Sequence, residues 1–358
     1  MAYKVMIVGM GKRGKHHADT FHANKSFQVA GICDIDMARL EAAAPSLGNP
    51  VIGSDAIKMA NEVKPDVFCF CTMPNVRYDL IKVGIDAGAK LIAFEKPISE
   101  NFSEAIRIKD LVLKSGVKAV VSHQHRYGQH YQKVKEIIAS GAIGKVHTVY
   151  GTSTGWMMHM MTHLVDYMSW YNDCYDVDWV MGQAAGKGKF ADKHPSPDYL
   201  AGIIQYKNGV RGIVESGAGA PDVPEVDYWW RKCRIGAQGT LGFAEVLTGG
   251  GWRAVTKDGV MSGEGCMNYE LDMPPYIQEM ADLLDGKIKK HQCDFETAYK
   301  GFEAVMGICR SAADGGQVAL PLSAGPAEMD ELKSKMSDAK VLISNVPGNA
   351  KEYLGIEG

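Results

Sequence analysis

Three groups of residues in this 358-residue chain have types and spacings suited to chemistry. The first is Gly9-Met10-Gly11-Lys12-Arg13-Gly14, directly after an apolar run. Glycines between a strand and a helix permit a tight turn, close approach of backbone to a pyrophosphate, and close helix-on-strand packing. The unpaired N–H groups at the helix start then face the phosphates. Asp34 follows Gly14 by 34 − 14 = 20 residues, the spacing at which a carboxylate accepts ribose hydroxyls and repels a 2′-phosphate. Asp36 adds to the repulsion, and Lys12 and Arg13 oppose it if they turn toward the ribose. The pattern favours NAD over NADP. A glycine-rich turn without a ligand is the plain alternative.

The second group closes two more apolar runs: Cys71-Thr72-Met73-Pro74-Asn75 and Glu95-Lys96-Pro97. Ligands of open parallel sheets bind outside the carboxyl ends of strands. Thr72, Pro74, Asn75, Glu95 and Lys96 are therefore expected near the cofactor, with Lys96 also near substrate. Pro97 biases Lys96 toward extended backbone, which projects its side chain from the strand end. A solvated lysine is the alternative here. In Ser122-His123-Gln124-His125-Arg126-Tyr127, Gln124 is a candidate cofactor contact, and Arg126 and Tyr127 are candidate substrate contacts. A polar strand end at a domain junction explains the same residues.

The third group is His159-Met160-Met161-Thr162-His163-Leu164-Val165-Asp166-Tyr167. Spacings of four and three put His159, His163 and Asp166 on one face of a helix. A zinc peptidase would need a glutamate where Met160 stands, so no metal site is expected. The pair either packs structurally or does acid–base work, since imidazole titrates near neutral pH. Trp156 and Tyr228-Trp229-Trp230 offer an apolar platform for a sugar face, Trp230 included, or plain core packing.

The elements that position these residues change character along the chain. Strands are expected over 3–9, 27–34, 66–72, 90–95 and 117–123, as short Val-, Ile-, Phe- and Ala-rich runs. Helix-length stretches at 14–24, 56–63, 75–87 and 102–115 separate them, which implies right-handed crossovers and a doubly wound sheet. After about residue 122 come helices at 129–140 and 157–171 and a strand at 145–152. Strands at 200–206 and 210–216 flank the Asn208-Gly209 turn, and more follow at 231–237, 241–246 and 252–256. Helices at 276–285 and 296–313 precede a helical tail. The expected architecture is a dinucleotide-binding Rossmann domain, 1–122, and an α+β domain with a large open, mostly antiparallel sheet, 123–358, whose tail is 324–358.

Composition narrows the field. Lys plus Arg number 39 against 42 Asp plus Glu, a net charge of −3. Nucleic-acid binding through a bulk basic surface is excluded, since phosphate neutralisation needs clustered cations. No apolar run approaches the ~20 residues of a membrane helix, and no secretory signal is read at the amino end. Eight cysteines, none in Cys-x-x-Cys spacing, suit reduced thiols in a cytoplasmic protein.

Taken together, the segments resemble the Gfo/Idh/MocA oxidoreductases, the family of glucose–fructose oxidoreductase and inositol dehydrogenase. The likeness rests on the glycine turn, Glu95-Lys96-Pro97, Gly141-Ala142-Ile143-Gly144, Ile235-Gly236-Ala237-Gln238-Gly239-Thr240-Leu241 and the run from Arg310 to Pro321. The resemblance implies NAD-dependent oxidation of a ring secondary hydroxyl in a sugar, glycoside or cyclitol. It also implies homo-oligomers, dimers or tetramers, built through an open sheet face. Its catalytic lysine corresponds to Lys96 and its histidine to His163, while its usual aspartate is replaced by His159. C3 oxidation of a glycoside could then start elimination of the aglycone. A redox-neutral, NAD-dependent glycosidase or lyase and a non-catalytic NAD or sugar sensor are the alternatives.

Overall fold

The computed structural model describes residues 2–192, 194–228, 231–339 and 341. Contacts divide the chain into two compact units. One is Met1–Glu100, Glu104–Tyr127 and Asn268–Ala298; the other is Asn101–Ser103, Gly128–Met267 and Tyr299–Gly358. The expected division at residue 122 differs from this grouping chiefly at 268–298.

The first unit holds β1 (Tyr3–Val8), α1 (Lys12–Ala23), β2 (Phe27–Cys33), α2 (Met37–Ala43), β3 (Val51–Gly53), α3 (Ala56–Val63), β4 (Val67–Phe70), α4 (Arg77–Asp86) and β5 (Leu91–Phe94). The helix α5 (Phe102–Ser115) leads to β6 (Lys118–Val121). The six strands pair in the order β3-β2-β1-β4-β5-β6, all in parallel. Every residue of β4 and β5 is buried, as both faces of a parallel sheet require. That order reverses between β1 and β4, so a crevice opens at their carboxyl ends.

The second unit begins with α6 (Gln129–Ala139), β7 (Val146–Ser153) and α7 (Met157–Tyr171). Then come β8 (Val177–Ala185), β9 (Tyr199–Tyr206), β10 (Arg211–Gly217), β11 (Cys233–Gly239), β12 (Gly242–Leu247), β13 (Gly251–Thr256) and β14 (Gly259–Gly263). The chain closes with α8 (Tyr269–Leu284), α9 (Phe295–Asp314), β15 (Val318–Ala319) and α10 (Glu328–Lys335). Among the described residues nine strands form the sheet β14-β13-β12-β11-β7-β10-β9-β8-β15, with the β7–β10 pairing parallel and the others antiparallel. The helix α7 lies on β7, β10 and β11.

The helix α8 belongs to the first unit. Its Met273, Tyr276, Ile277 and Met280 join Val5, Ile7, Cys69 and Ala93 in one buried cluster. It begins at Tyr269, before the expected 276, although Pro274 and Pro275 lie inside it. Asn268 caps it by accepting the Glu270 N–H at 2.9 Å, and burial of one apolar face outweighs the proline cost. The strands β3, β8, β14 and β15 and the helix α2 were not anticipated. In β8 most residues are only half-buried or exposed, which leaves no apolar run to read. Of the expected tail, α10 is present, and residues 342–358 lie outside the described set.

Candidate active site

The glycine turn connects β1 to α1, and its geometry explains its composition. Gly9 has φ of 84°, and a Cβ there would lie 2.7 Å from the Cys71 carbonyl oxygen. At Gly14 a Cβ would lie 1.8 Å from the Gly9 carbonyl oxygen, so helix and turn touch backbone to backbone. A Cβ on Gly11, by contrast, would meet nothing within 4 Å. Gly11 is also the N-cap of α1 and supplies no side-chain cap. An anion can therefore approach the first N–H groups of the helix. Lys12 is exposed beside this turn.

Asp34 stands just past β2. It accepts hydrogen bonds from the N–H of Met10 at 2.6 Å and the N–H of Asp36 at 3.0 Å. The Arg39 guanidinium lies 3.1 Å from it. Burial opposes its charge, but these donors together hold the carboxyl below its usual range. The ribose-type carboxylate is thus ionised and tied to the glycine turn through Met10. Arg39, which sequence reasoning missed, spans Asp34 and Asp36.

At the ends of β4 and β5, buried charge is concentrated. Glu95 Oε1 is 3.1 Å from Arg13 Nε and 3.1 Å from His17 Nε2. Arg13 therefore turns to Glu95 and lies over the Tyr269 ring at 4.2 Å, not toward a ribose. Despite its burial, Glu95 is held far below the ordinary carboxylate range by Arg13, then His17 and Lys96. Burial brings Lys96 down to about 8; Glu95 opposes that shift, while Arg77 and Arg13 add to it. The buried Arg77 donates to the carbonyls of Thr72 at 3.3 Å and Lys96 at 3.0 Å. It ties the two strand ends together, a role no spacing in the sequence indicates.

Thr72 Oγ1 and Gln124 Oε1 are buried side-chain oxygens without a hydrogen-bond partner among the described residues. Buried polar atoms in folded proteins are normally paired, so these two suit a polar ligand such as a carboxamide. Pro74 and Asn75 begin the short 3-10 turn after β4. With the open Gly11 and the ionised Asp34, they make a set that fits a dinucleotide. Arg126 and Tyr127 bond within the first unit. Arg126 Nη1 donates to the Gln292 carbonyl at 2.8 Å, and the Tyr127 hydroxyl donates to Glu279 at 2.6 Å.

In the second unit, α7 is almost wholly buried, and His159, Met160 and His163 are among its few half-buried residues. The spacing of four does bring the two imidazoles to one partly open face. Asp166 is buried, and the group beside His163 Nδ1 is the Tyr167 hydroxyl at 3.1 Å. His159 lies 5.6 Å from the Trp156 ring and 4.5 Å from the His194 ring. The Lys189 ammonium sits over Trp156 at 4.6 Å. Lys189 and His194 were missed because they arrive from a loop after β8. Trp229 and Trp230 lie outside the described residues.

Residues 3–123 match the model of an oxidoreductase family with an NAD-binding Rossmann fold. The Sinorhizobium fredii protein y4oX is 26% identical over 270 residues, covering 67% of this chain and 72% of that protein. Inositol 2-dehydrogenase of Rhizobium meliloti is 31% identical over 153 residues. That match covers 43% of this chain and 46% of the enzyme, less than half of its length. An Agrobacterium radiobacter oxidoreductase, solved with NAD+, L-tartaric acid and magnesium, superposes with a TM-score of 0.76 at 18% identity. The superposition covers 89% of this chain and 98% of that one. At that identity the likeness is one of fold.

Proposed function

Residues 3–123 match the Gfo/Idh/MocA oxidoreductases with their NAD-binding Rossmann fold, and from that match we propose that the chain belongs to this family and is an NAD-dependent dehydrogenase. Its substrate is a ring secondary hydroxyl of a sugar, glycoside or cyclitol. Bound NAD would supply the hydride acceptor. The Gly11 backbone and the start of α1 hold the pyrophosphate, and Asp34 holds the ribose. Thr72 and Gln124 bond the carboxamide, with Pro74 and Asn75 beside them. Glu95 acts by positioning Arg13 and by favouring the charged form of Lys96.

Lys96 donates a hydrogen bond to the reacting hydroxyl oxygen and stabilises its negative charge as the proton leaves. His163 takes that proton at Nε2, with its Nδ1–H donating to the Tyr167 hydroxyl. This tautomer is assigned from the role, since ring protons follow the hydrogen-bond network. His159 orients a neighbouring hydroxyl, and Trp156 offers its ring to an apolar sugar face. Arg126 and Tyr127 shape the substrate side through their bonds to Gln292 and Glu279.

The observation that carries this reading is Lys96, lowered to about 8 by burial beside the ionised Glu95. A solvated surface lysine has no reason to titrate there. Cyclitols, sugars and glycosides incubated with NAD, with reduced-nicotinamide absorbance followed, test it. One compound should give NADH in wild type. Lys96→Met should bind NAD unchanged and form none. Turnover retained in Lys96→Met removes the lysine from the chemistry.

Assembly into a dimer or tetramer through the nine-stranded sheet is part of the same proposal. Met181, Ile203 and Ile213 are exposed and adjacent across β8, β9 and β10. Such an apolar row favours burial against another copy. No helix among the described residues is long and apolar enough to cross a membrane.

A further inference from the structure

A cluster that the dehydrogenase reading leaves unused lies within the first unit, between α1 and the end of β4. His17 and Cys69 are fully buried, and Cys71 is partly open. Their ligand atoms all lie within 4.8 Å of one another. Cys69 in β4 and Cys71 just past its end are two positions apart, which in extended backbone puts them on one face, and α1 brings the imidazole to that face.

We propose that His17, Cys69 and Cys71 form a binding site for a thiophilic divalent cation of the zinc class. The distances carry the first part of the argument. Zinc bonds of about 2.3 Å to sulfur and 2.0 Å to nitrogen set sulfur–nitrogen edges of roughly 3.5 Å in a tetrahedron. Cys69 Sγ and His17 Nδ1 are 3.8 Å apart, so closure needs only a small side-chain shift.

The orientation of the imidazole carries the second part. His17 Nε2 is held by Glu95 Oε1 at 3.1 Å, with Ser122 Oγ at 3.4 Å. Nδ1 is left facing the sulfurs. A histidine that binds a metal through one nitrogen and gives its other N–H to a carboxylate is the usual arrangement around zinc. The Glu95 carboxylate beside Nε2 brings negative charge that favours a cation in the cluster.

Binding replaces protons with the cation. Both thiols lose theirs to solvent, and so does Nδ1 when the ring is protonated; no electron moves. Three protein ligands leave one tetrahedral position for water, reached from the partly open Cys71 side. Sequence inspection passes over the cluster because it lacks Cys-x-x-Cys spacing, and its histidine stands 52 residues before Cys69.

The test is titration of chelator-treated full-length protein with Cd2+ alone, following thiolate-to-metal charge-transfer absorbance, and then competition by Zn2+. Cys266→Ala removes the exposed thiol and serves as background. One equivalent should bind. Cys71→Ser and His17→Gln, in that background, should weaken binding at least 100-fold, with far-ultraviolet circular dichroism reporting the fold. Independently of any variant, alkylation and mass mapping of wild type should show Cys69 and Cys71 protected by Zn2+. Absence of the charge-transfer band, equal affinity in folded variants, or protection confined to other cysteines overturns the proposal. None of these readouts depends on turnover or NAD.

Discussion

Replacing Glu95 by Gln tests the buried charge network directly, through its pH-dependent stability. Glu95 faces Arg13 and His17 at 3.1 Å each, and the His17 side chain has no exposed surface. Folded His17 keeps its proton up to about 9, while an unfolded histidine releases it near ~6.5. A raised folded value means stabilisation that is complete below ~6.5 and declines as pH rises toward the folded value. The slope is about 1.4 kcal/mol per pH unit, so wild type should lose about 2 kcal/mol between roughly pH 6.5 and 8. The part of that slope owed to His17 is read as the difference between wild type and Glu95→Gln. Burial pushes His16 and His291 down, so they contribute below that range, and Lys96 contributes in the opposite sense from about 8 upward. Cys71, held well above its ordinary value by Cys69 and burial, faces His17 together with Glu95, and both support the imidazolium. In Glu95→Gln the carboxylate share of that support is lost, the His17 value falls, and the slope between roughly pH 6.5 and 8 becomes shallower. Loss of the carboxylate partner should also cost about 3–5 kcal/mol of stability at pH 6.5. Urea unfolding of chelator-treated protein at pH 6.5, 7.25 and 8, followed by circular dichroism, measures both quantities. Parallel pH dependences in wild type and variant would refute the assignment of the charge to this pair.

Three other outcomes follow from the same geometry. The ammonium form of Lys96 is the active one, so kcat/KM should fall above about pH 8, approaching tenfold per pH unit. A profile flat to pH 10 contradicts that role. Asp34→Ala removes the acceptor of the Met10 N–H and the charge facing the ribose; NAD affinity measured by fluorescence titration should drop about 10- to 100-fold. NADP affinity should drop less, since Arg39, then paired with Asp36 alone, can also meet a 2′-phosphate, and equal losses for both cofactors argue against Asp34 as the discriminating group. Tyr167→Phe takes away the hydroxyl beside His163 Nδ1 and should lower kcat about tenfold with KM nearly constant; an unchanged kcat frees His163 of any need for that partner.

Legibility in the sequence followed the range of the interaction involved. The strands β4 and β5, and β1 from Val5 on, were visible because burial on both faces leaves nothing but apolar residues. The glycine turn and Asp34 were visible because each is set by backbone geometry within one β–α–β segment. His159 and His163 were legible because a helical period is local. What escaped was held by partners far along the chain. Arg77 looks like an ordinary first-turn residue of α4, and only the fold brings it to the carbonyls of Thr72 and Lys96. His17 sits in Lys15-His16-His17-Ala18-Asp19, which reads as a solvated helix face until Glu95, 78 residues later, arrives beside it.

That distance dependence explains why the first unit recruits residues 268–298. In the parallel sheet the end of β5 carries Glu95 and Lys96, and Arg77 reaches it from α4, charges that could not stay close together in an apolar interior without compensation. The helix α8 provides apolar cover for the core and brings polar groups to the rim. Tyr269 lies under the Arg13 guanidinium at 4.2 Å. The Tyr276 hydroxyl is 3.0 Å from Ser122 Oγ, and Ser122 in turn lies beside His17. Asp272 is 2.8 Å from His125. Each contact orients a residue that neighbours either the charge network or the 122–127 segment. A helix interrupted by two prolines is retained here because its buried side secures the sheet and its polar side orients Arg13 and, through Ser122 and His17, Glu95, two charges that act on Lys96 in opposite senses. Truncating α8's polar contacts singly, as in Tyr276→Phe, should therefore leave the fold intact while shifting the alkaline limb of kcat/KM that Lys96 sets; a limb unmoved in that variant, with NAD affinity also unmoved, would confine α8 to packing.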